Sequence, residues 1–91
     1  MVYVVERYLP GLFRSDFLVR LSELERATES VRTGCSEVRY LGSTIVLGDE
    51  ACYCRFAGPT EAAIAEANRR AGLSFDRIVP AVDVKPKGEV R

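Results

Sequence analysis

The chain of 91 residues contains no histidine. The commonest nitrogen ligand for nickel, zinc and copper is therefore absent, and so is the usual general base near neutral pH. A Ser-His or Cys-His nucleophile is excluded for the same reason. Any acid–base chemistry has to use a carboxylate or a phenol, for which the candidates are Glu6, Glu61, Asp83, Tyr3, Tyr40 and Tyr53.

The chain also lacks net charge, because 13 basic side chains balance 13 acidic ones. The two signs are interspersed, so no basic patch is predicted and nucleic-acid binding is disfavoured. No apolar run reaches the roughly 18 residues of a membrane span, and residues 1–6 show no signal peptide, so no membrane partner is expected. Three cysteines do not make a disulfide framework, and reduced thiols suit the cytoplasm, which is the predicted location.

The length supports a single hydrophobic core and hence one domain. Hydrophobic residues make up 47% of the chain and charged residues 29%, which is the balance of an ordinary globular protein. We predict one domain over residues 1–85 and a polar tail over residues 86–91. A domain of this size buries a limited share of its surface, so oligomerisation is a natural supplement.

The first half of the chain predicts two strands around a helix. β-Branched and aromatic residues form a strand over residues 2–8. A helix follows, with Ser15 as its N-cap and Gly34 at its end. A second strand covers residues 37–47, and Gly42 predicts a bend or bulge near its middle.

The second half repeats the pattern. A turn at residues 48–50 leads into a third strand over residues 51–57, and the two strands form a hairpin. A helix then starts at residues 59–61 and ends at Gly72, with Glu66 and Arg70 paired on its exposed side. The last strand covers residues 75–84, and Pro80 places it at a sheet edge because proline lacks a ladder donor.

This order of elements predicts an α+β, ferredoxin-like βαββαβ fold. The antiparallel sheet would have the order 4-1-3-2, with both helices on one face. The other face would be left bare and would need a partner, which a homodimer of the dimeric α+β barrel type supplies by closing two sheets face to face.

The third strand has two chemically different faces. Cys52 and Cys54 share one face, where small buried thiols suit packing under helices. Two residues apart, they are too far apart for a relaxed disulfide, and with Cys35 they give at most three thiolates for an unusual metal site. Tyr53 and Arg55 lie on the opposite face.

Arg55 is the charge most suited to binding on that face. It can clamp a carboxylate ligand, pair with Glu6 of the same sheet, or pair with an acid across a dimer interface. Glu6 and Arg7 are expected at the mouth of the sheet, because unpaired charges are rarely fully buried. The predicted lining of a cavity between two sheets is Glu6, Tyr53, Arg55, Tyr3 and Tyr40.

Several short motifs resemble one bacterial family. They are Val4-Val5-Glu6-Arg7, Leu9-Pro10-Gly11, Tyr53-Cys54, Gly58-Pro59-Thr60-Glu61-Ala62-Ala63-Ile64 and Arg69-Arg70-Ala71-Gly72-Leu73. They are similar to those of a family of short domains that includes a nickel-responsive, nickel-binding protein of actinobacteria. The resemblance covers nearly the whole chain and implies a ferredoxin-like subunit that dimerises, with nickel as its divalent metal.

The chain departs from the family pattern where the family carries histidine. Family members typically have a histidine after the glutamate that matches Glu66, and often another near Gly42. This chain has Ala67 at the first position and no histidine at either. No metal ligand is therefore carried over from the resemblance.

Three functions remain open from the sequence. The first is a non-enzymatic, homodimeric module that binds a small molecule or ion through Glu6, Tyr53 and Arg55. The second is a cofactor-free isomerase or oxygenase with Glu6 or a tyrosine as base, which rests on fold analogy. The third is a metal-binding protein that uses Cys52, Cys54 and carboxylates, with nickel as the metal that the resemblance implies.

Overall fold

The computed structural model describes residues 1–11, 19, 22–23, 25–27, 29 and 37–87. The described residues between 19 and 29 are helical, in agreement with the predicted first helix, whose ends at Ser15 and Gly34 lie outside the described residues. The other elements are strand β1 (Val2–Tyr8), strand β2 (Arg39–Val46), strand β3 (Ala51–Ala57), the C-terminal helix (Glu61–Arg70) and strand β4 (Arg77–Ala81).

The four strands form one antiparallel sheet in the order β2-β3-β1-β4. This is the predicted order read from the opposite edge, so the α+β, ferredoxin-like fold with two helices is confirmed. The two central strands, β1 and β3, carry most of the core. Their alternation places Val5, Cys52, Cys54 and Phe56 on the helix side, where each is fully buried.

Strand β2 contains the predicted irregularity. Its register against β3 shifts between Tyr40 and Gly42, and Gly42 has a φ of 130°, a conformation that residues with a Cβ rarely adopt. A 3₁₀ turn over Leu47–Asp49 then joins β2 to β3 and completes the predicted hairpin.

The C-terminal helix begins and ends at the predicted residues. The Thr60 side chain accepts a hydrogen bond from the Ala63 N–H at 3.1 Å, which caps the first turn. Gly72, with a φ of 75°, lies just past the C-terminus. The buried side of the helix places Ile64 and Ala67 against the thiol-bearing face of β3.

Strand β4 is shorter than the predicted residues 75–84. Its pairing with β1 starts at Arg77. The Tyr8 N–H donates a hydrogen bond of 2.8 Å to the Asp76 carboxylate rather than to a backbone carbonyl of β4. The pairing stops at Ala81, which lies opposite Val2 at the first residue of β1. Pro80 lies in this edge strand, as predicted.

Residues 82–87 have no helix or strand, and the division between a domain over residues 1–85 and a tail over residues 86–91 stays a prediction. Within the described part of the chain, no helix has the length and apolarity that crossing a bilayer requires.

Candidate functional site

The sheet separates the predicted site residues into two groups. Glu6 lies directly opposite Tyr53 in the β1–β3 register, and cross-strand partners project to the same face. Arg55 follows Tyr53 by two residues and shares that face, so the structure brings these three side chains together. Tyr3 lies opposite Phe56 on the helix side and is 6% exposed, and Tyr40 packs against Phe56 with ring centroids 5.5 Å apart. Neither Tyr3 nor Tyr40 reaches the first group.

The face turned away from the helices is called the open face below. The strand registers arrange it in rows across the sheet, and its two central rows are Thr44, Tyr53, Glu6 and Arg77, followed by Gly42, Arg55, Val4 and Val79. A polar row therefore lies beside a row with one arginine and two valines. Glu61 and Asp83, the other predicted carboxylates, are exposed in the first turn of the C-terminal helix and after β4.

Glu6 is buried, which corrects its expected position at the mouth of the sheet. It is 7% exposed, and its Oε2 accepts hydrogen bonds from Arg77, from Nε at 2.9 Å and from Nη2. The ion pair raises the pKa of Arg77. The predicted alternative of an Arg55–Glu6 pair is wrong, because Arg77 lies directly opposite Glu6 on β4 whereas Arg55 is offset along β3.

Arg55 lies over the bulge of β2. Its Nη2 donates a long hydrogen bond of 3.4 Å to the Leu41 carbonyl, and a Cβ on Gly42 would come within 2.9 Å of that nitrogen. Glycine at this position therefore gives the guanidinium its space. Among the described residues, no carboxylate forms an ion pair with Arg55. The side chain is thus available to an anion.

Tyr53 supplies a neutral donor beside this charge. Its ring is partly buried between β2 and β1, opposite Thr44 on one side and Glu6 on the other. Desolvation raises the pKa of the phenol, and Tyr8 and Glu6 add to the effect. The hydroxyl therefore stays protonated at neutral pH and can donate a hydrogen bond.

Arg7 is also buried, which corrects its expected position at the mouth. It is 4% exposed on the helix side of β1. Its Nη1 donates to the Ser74 carbonyl at 2.8 Å, and its Nη2 donates to Asn68 Oδ1 at 2.9 Å. The Nε–H has no hydrogen-bond partner among the residues that the structure describes. The guanidinium is tolerated in the core because two of its nitrogens are satisfied by neutral acceptors.

Cys52 and Cys54 are fully buried and belong to the same core cluster as Ile64 and Ala67 of the C-terminal helix, in agreement with their predicted place in the core. They also form a polar group: the two Sγ atoms lie 3.6 Å apart, and the Ser43 hydroxyl donates to Cys54 Sγ at 3.0 Å. The hydrogen bond to Cys54 raises the pKa of Cys52. The same bond, helped by Ser43 and Arg7, lowers the pKa of Cys54 below its usual range despite burial. Cys35 lies outside the described residues.

The described residues do not fit a divalent nickel ion. They contain no group of three histidine, cysteine, aspartate or glutamate side chains that can hold a metal. The two thiols lie beside the Arg7 guanidinium, whose positive charge opposes a second cation. Cys52 and Cys54 are therefore weak ligands for nickel as the structure places them.

Sequence reasoning missed Arg77, Asn68 and Ser43 as members of these two groups. Arg77 and Asn68 act on β1 residues that are 71 and 61 positions away in the chain. Arg77 could have been found from the expected sheet order, because the strand that pairs with β1 must place a residue opposite Glu6. No local pattern points to Asn68.

The Arg77–Glu6 pair predicts a difference between two arginines of equal exposure. Arg77 and Arg70 have side chains 64% and 63% exposed, but their partners Glu6 and Glu66 are 9% and 53% exposed. Arg77→Ala leaves a buried carboxylate without its partner, and we expect it to lower the free energy of unfolding by more than Arg70→Ala does. Arg70→Ala, the matched control, should cost less than about 0.5 kcal/mol.

Urea unfolding followed by circular dichroism measures both values. Equal losses for the two variants would contradict the assignment of Glu6 as a buried, Arg77-dependent carboxylate.

Comparison with known proteins agrees with this architecture. The crystal structure of SCO4226 from Streptomyces coelicolor A3(2) is similar, with a TM-score of 0.68 and 21% identity over 91% of this chain and 100% of that chain. At this identity the likeness shows the fold. A search of curated proteins found no match. The family model described as nickel responsive protein SCO4226-like matches residues 3–81, and the chain therefore belongs to the SCO4226-like family.

Proposed function

We propose that this protein is a non-enzymatic, homodimeric module that binds a small anionic ligand between two facing sheets. The observation that carries the proposal is Arg55, a guanidinium on a central strand of the open face that has no described carboxylate partner. A positive charge in that position is suited to a carboxylate or phosphate group, which a guanidinium can bind through two parallel hydrogen bonds.

The open face also supports the proposed dimer. The described part of its central rows mixes valines with an acidic and two basic side chains, so that one copy offers both apolar area and charges of both signs. A two-fold contact places the same surface on both sides and therefore needs such a self-complementary face. The small size of the domain adds a stability argument, since a second copy buries surface that one core cannot.

The ligand would lie against Tyr53 and Arg55. The Tyr53 phenol is a protonated donor, and it lies two residues from Arg55 on the same strand. Glu6 is already engaged by Arg77, so its negative charge is largely offset and does not repel an anion bound nearby. A small dicarboxylate or phosphate matches these donors.

The dimer contact predicts the effect of a charge placed in the centre of the open face. Val4 lies opposite Arg55, so Val4→Lys in both copies would bring four cations together at the contact. We expect the wild type to sediment at twice the monomer mass and the variant as a folded monomer, as measured by analytical ultracentrifugation and circular dichroism. Val82→Lys, at a residue that is 85% exposed outside the sheet, is the matched control and should remain dimeric. A monomeric wild type would refute the proposed dimer.

The ligand site predicts a selective loss in Arg55→Ala. We expect succinate or inorganic phosphate to shift the backbone amide signals of β3 in the NMR spectrum of the wild type, and the variant to bind at least about tenfold more weakly, the size of one lost charged hydrogen bond. Arg70→Ala removes the same charge from an exposed helix side and should bind as the wild type does. Unchanged affinity in Arg55→Ala would contradict the proposal.

Nickel is the second candidate, and family membership is the observation that favours it. The described residues offer two adjacent thiols and no third ligand group, so a nickel site would need residues beyond them or a second copy. This candidate differs from the first in its ligand atoms, which would be sulfur rather than guanidinium nitrogen.

A nickel titration separates the two candidates. Because Arg7 opposes a divalent cation at Cys52 and Cys54, we expect no thiolate-to-nickel charge-transfer absorbance at stoichiometric nickel. Cys35→Ser serves as the control for the remaining thiol. An absorbance band in the wild type that persists in Cys35→Ser and disappears in Cys52→Ser/Cys54→Ser would establish a cysteine-based nickel site.

A further inference from the structure

A second group of reactive side chains lies on the helix side of the sheet, separate from the open face. It comprises Arg7, Ser43, Cys52 and Cys54 and is called the thiol cluster below. Arg7 lies directly opposite Cys52, and Ser43 lies directly opposite Cys54, so three neighbouring strands converge on the two sulfur atoms. The proposed anion site uses none of these residues.

Two hydrogen bonds within the cluster involve the Cys54 sulfur. Cys52 lies 3.6 Å away, sulfur to sulfur, and the Ser43 hydroxyl donates to Cys54 Sγ at 3.0 Å. The Tyr40 hydroxyl lies 2.5 Å from Ser43 Oγ and donates to it when Ser43 donates to the sulfur. With the Ser43 hydroxyl donating to it and the Cys52 thiol able to donate, the Cys54 sulfur is placed to carry a negative charge.

The buried Arg7 supplies the opposite charge. Its two hydrogen-bond acceptors, an amide oxygen and a backbone carbonyl, are neutral, and among the described residues no carboxylate pairs with it. Its Nε–H is buried and has no partner in the described part of the chain. A buried cation without an anion is costly, and an ionised Cys54 offsets that cost. The lowered pKa of Cys54 agrees with this arrangement.

We propose that Cys54 is a peroxide-reactive thiolate and that Cys52 is its resolving thiol. The Cys54 thiolate attacks one oxygen of a small hydroperoxide, the O–O bond breaks, and the departing oxygen leaves as water or an alcohol after taking a proton. Cys54 is then a sulfenic acid. The Cys52 sulfur attacks it, water leaves, and a Cys52–Cys54 disulfide forms. Two thiols and one hydrogen peroxide thus give one disulfide and two waters.

The burial of the thiol cluster limits the oxidant to a small molecule. Both thiols are fully buried, so glutathione disulfide and other bulky reagents are kept away. Ser43, which contacts the Cys54 sulfur, is exposed on the edge strand β2, so the proposal has hydrogen peroxide approach the sulfur beside this side chain.

The backbone geometry favours a Cys52–Cys54 disulfide that is easily reduced. Two residues along a strand span about 6.7 Å between Cα atoms, close to the upper limit of disulfide geometry. A bond formed there strains the strand, and strained disulfides are readily reduced by a dithiol. The cycle would therefore be reversible.

The test uses the full chain with Cys35→Ser, which leaves Cys52 and Cys54 as the two thiols of the chain. One equivalent of hydrogen peroxide should lower the intact mass by two hydrogens, and dithiothreitol should restore it. Adding Cys52→Ser should stop the reaction at a sulfenic acid that dimedone traps on Cys54, and adding Cys54→Ser should abolish the reaction. A protein whose thiols react only after unfolding in urea would overturn the proposal.

Ser43→Ala tests the site without touching a cysteine or the core. Loss of this donor should raise the pKa of Cys54 and shift the pH profile of oxidation upwards, and a one-unit shift should slow the reaction by roughly tenfold at pH values well below the pKa. Thr44→Ala, at the next exposed residue on the opposite face, is the matched control and should leave the profile unchanged. Identical pH profiles of oxidation for the two variants would refute the proposed role of the thiol cluster. This outcome does not depend on how Arg55→Ala binds anions, so the two proposals are tested separately.

Discussion

The buried guanidinium of Arg7 is the constraint around which the rest of the core is arranged. A charged group in the interior costs several kcal/mol unless its donors are satisfied. Asn68 of the C-terminal helix and the Ser74 carbonyl of the following loop provide the acceptors. Asn68 is itself fully buried and is oriented by donating to the Ile64 carbonyl at 2.9 Å. The rotation of the helix and the path of the chain into β4 are therefore both set by one β1 side chain.

Strand β3 connects the two groups of functional side chains. Cys52 and Cys54 point into the core, whereas Tyr53, the residue between them, points to the open face. A disulfide across Tyr53 would close a small ring around its backbone and change the pleat there. The phenol and the neighbouring Arg55 would move with it. Oxidation on one side of the sheet would thus alter the anion site on the other side, through the covalent geometry of the strand alone.

Local patterns predicted the elements and the topology, because each depends on residues close in the chain. Strand alternation and the Thr60 cap each carry a nearby signal. The positions of the charged side chains were harder to predict. Alternation puts Arg7 on one face with Tyr3 and Val5 but does not say which face is buried, and the rule that charges stay exposed argued against burial. Its acceptor Asn68 is 61 positions away. Glu6 was misplaced for the same reason, since its partner lies on β4. Partners that distant in sequence are visible only once the sheet register is known.

Alanine at position 67, where the family resemblance implies a histidine, fits the electrostatics of this core. Ala67 is 3% exposed and belongs to the same buried cluster as the two cysteines, and Asn68, the next residue, binds Arg7. An imidazole at position 67 would have to share this space with a guanidinium, and its protonated form would be repelled by it. A methyl group avoids that conflict. With Arg7 in place, the core stabilises an anion such as a thiolate and opposes a bound cation. The same positive charge that makes a divalent metal unfavourable here is what makes Cys54 reactive.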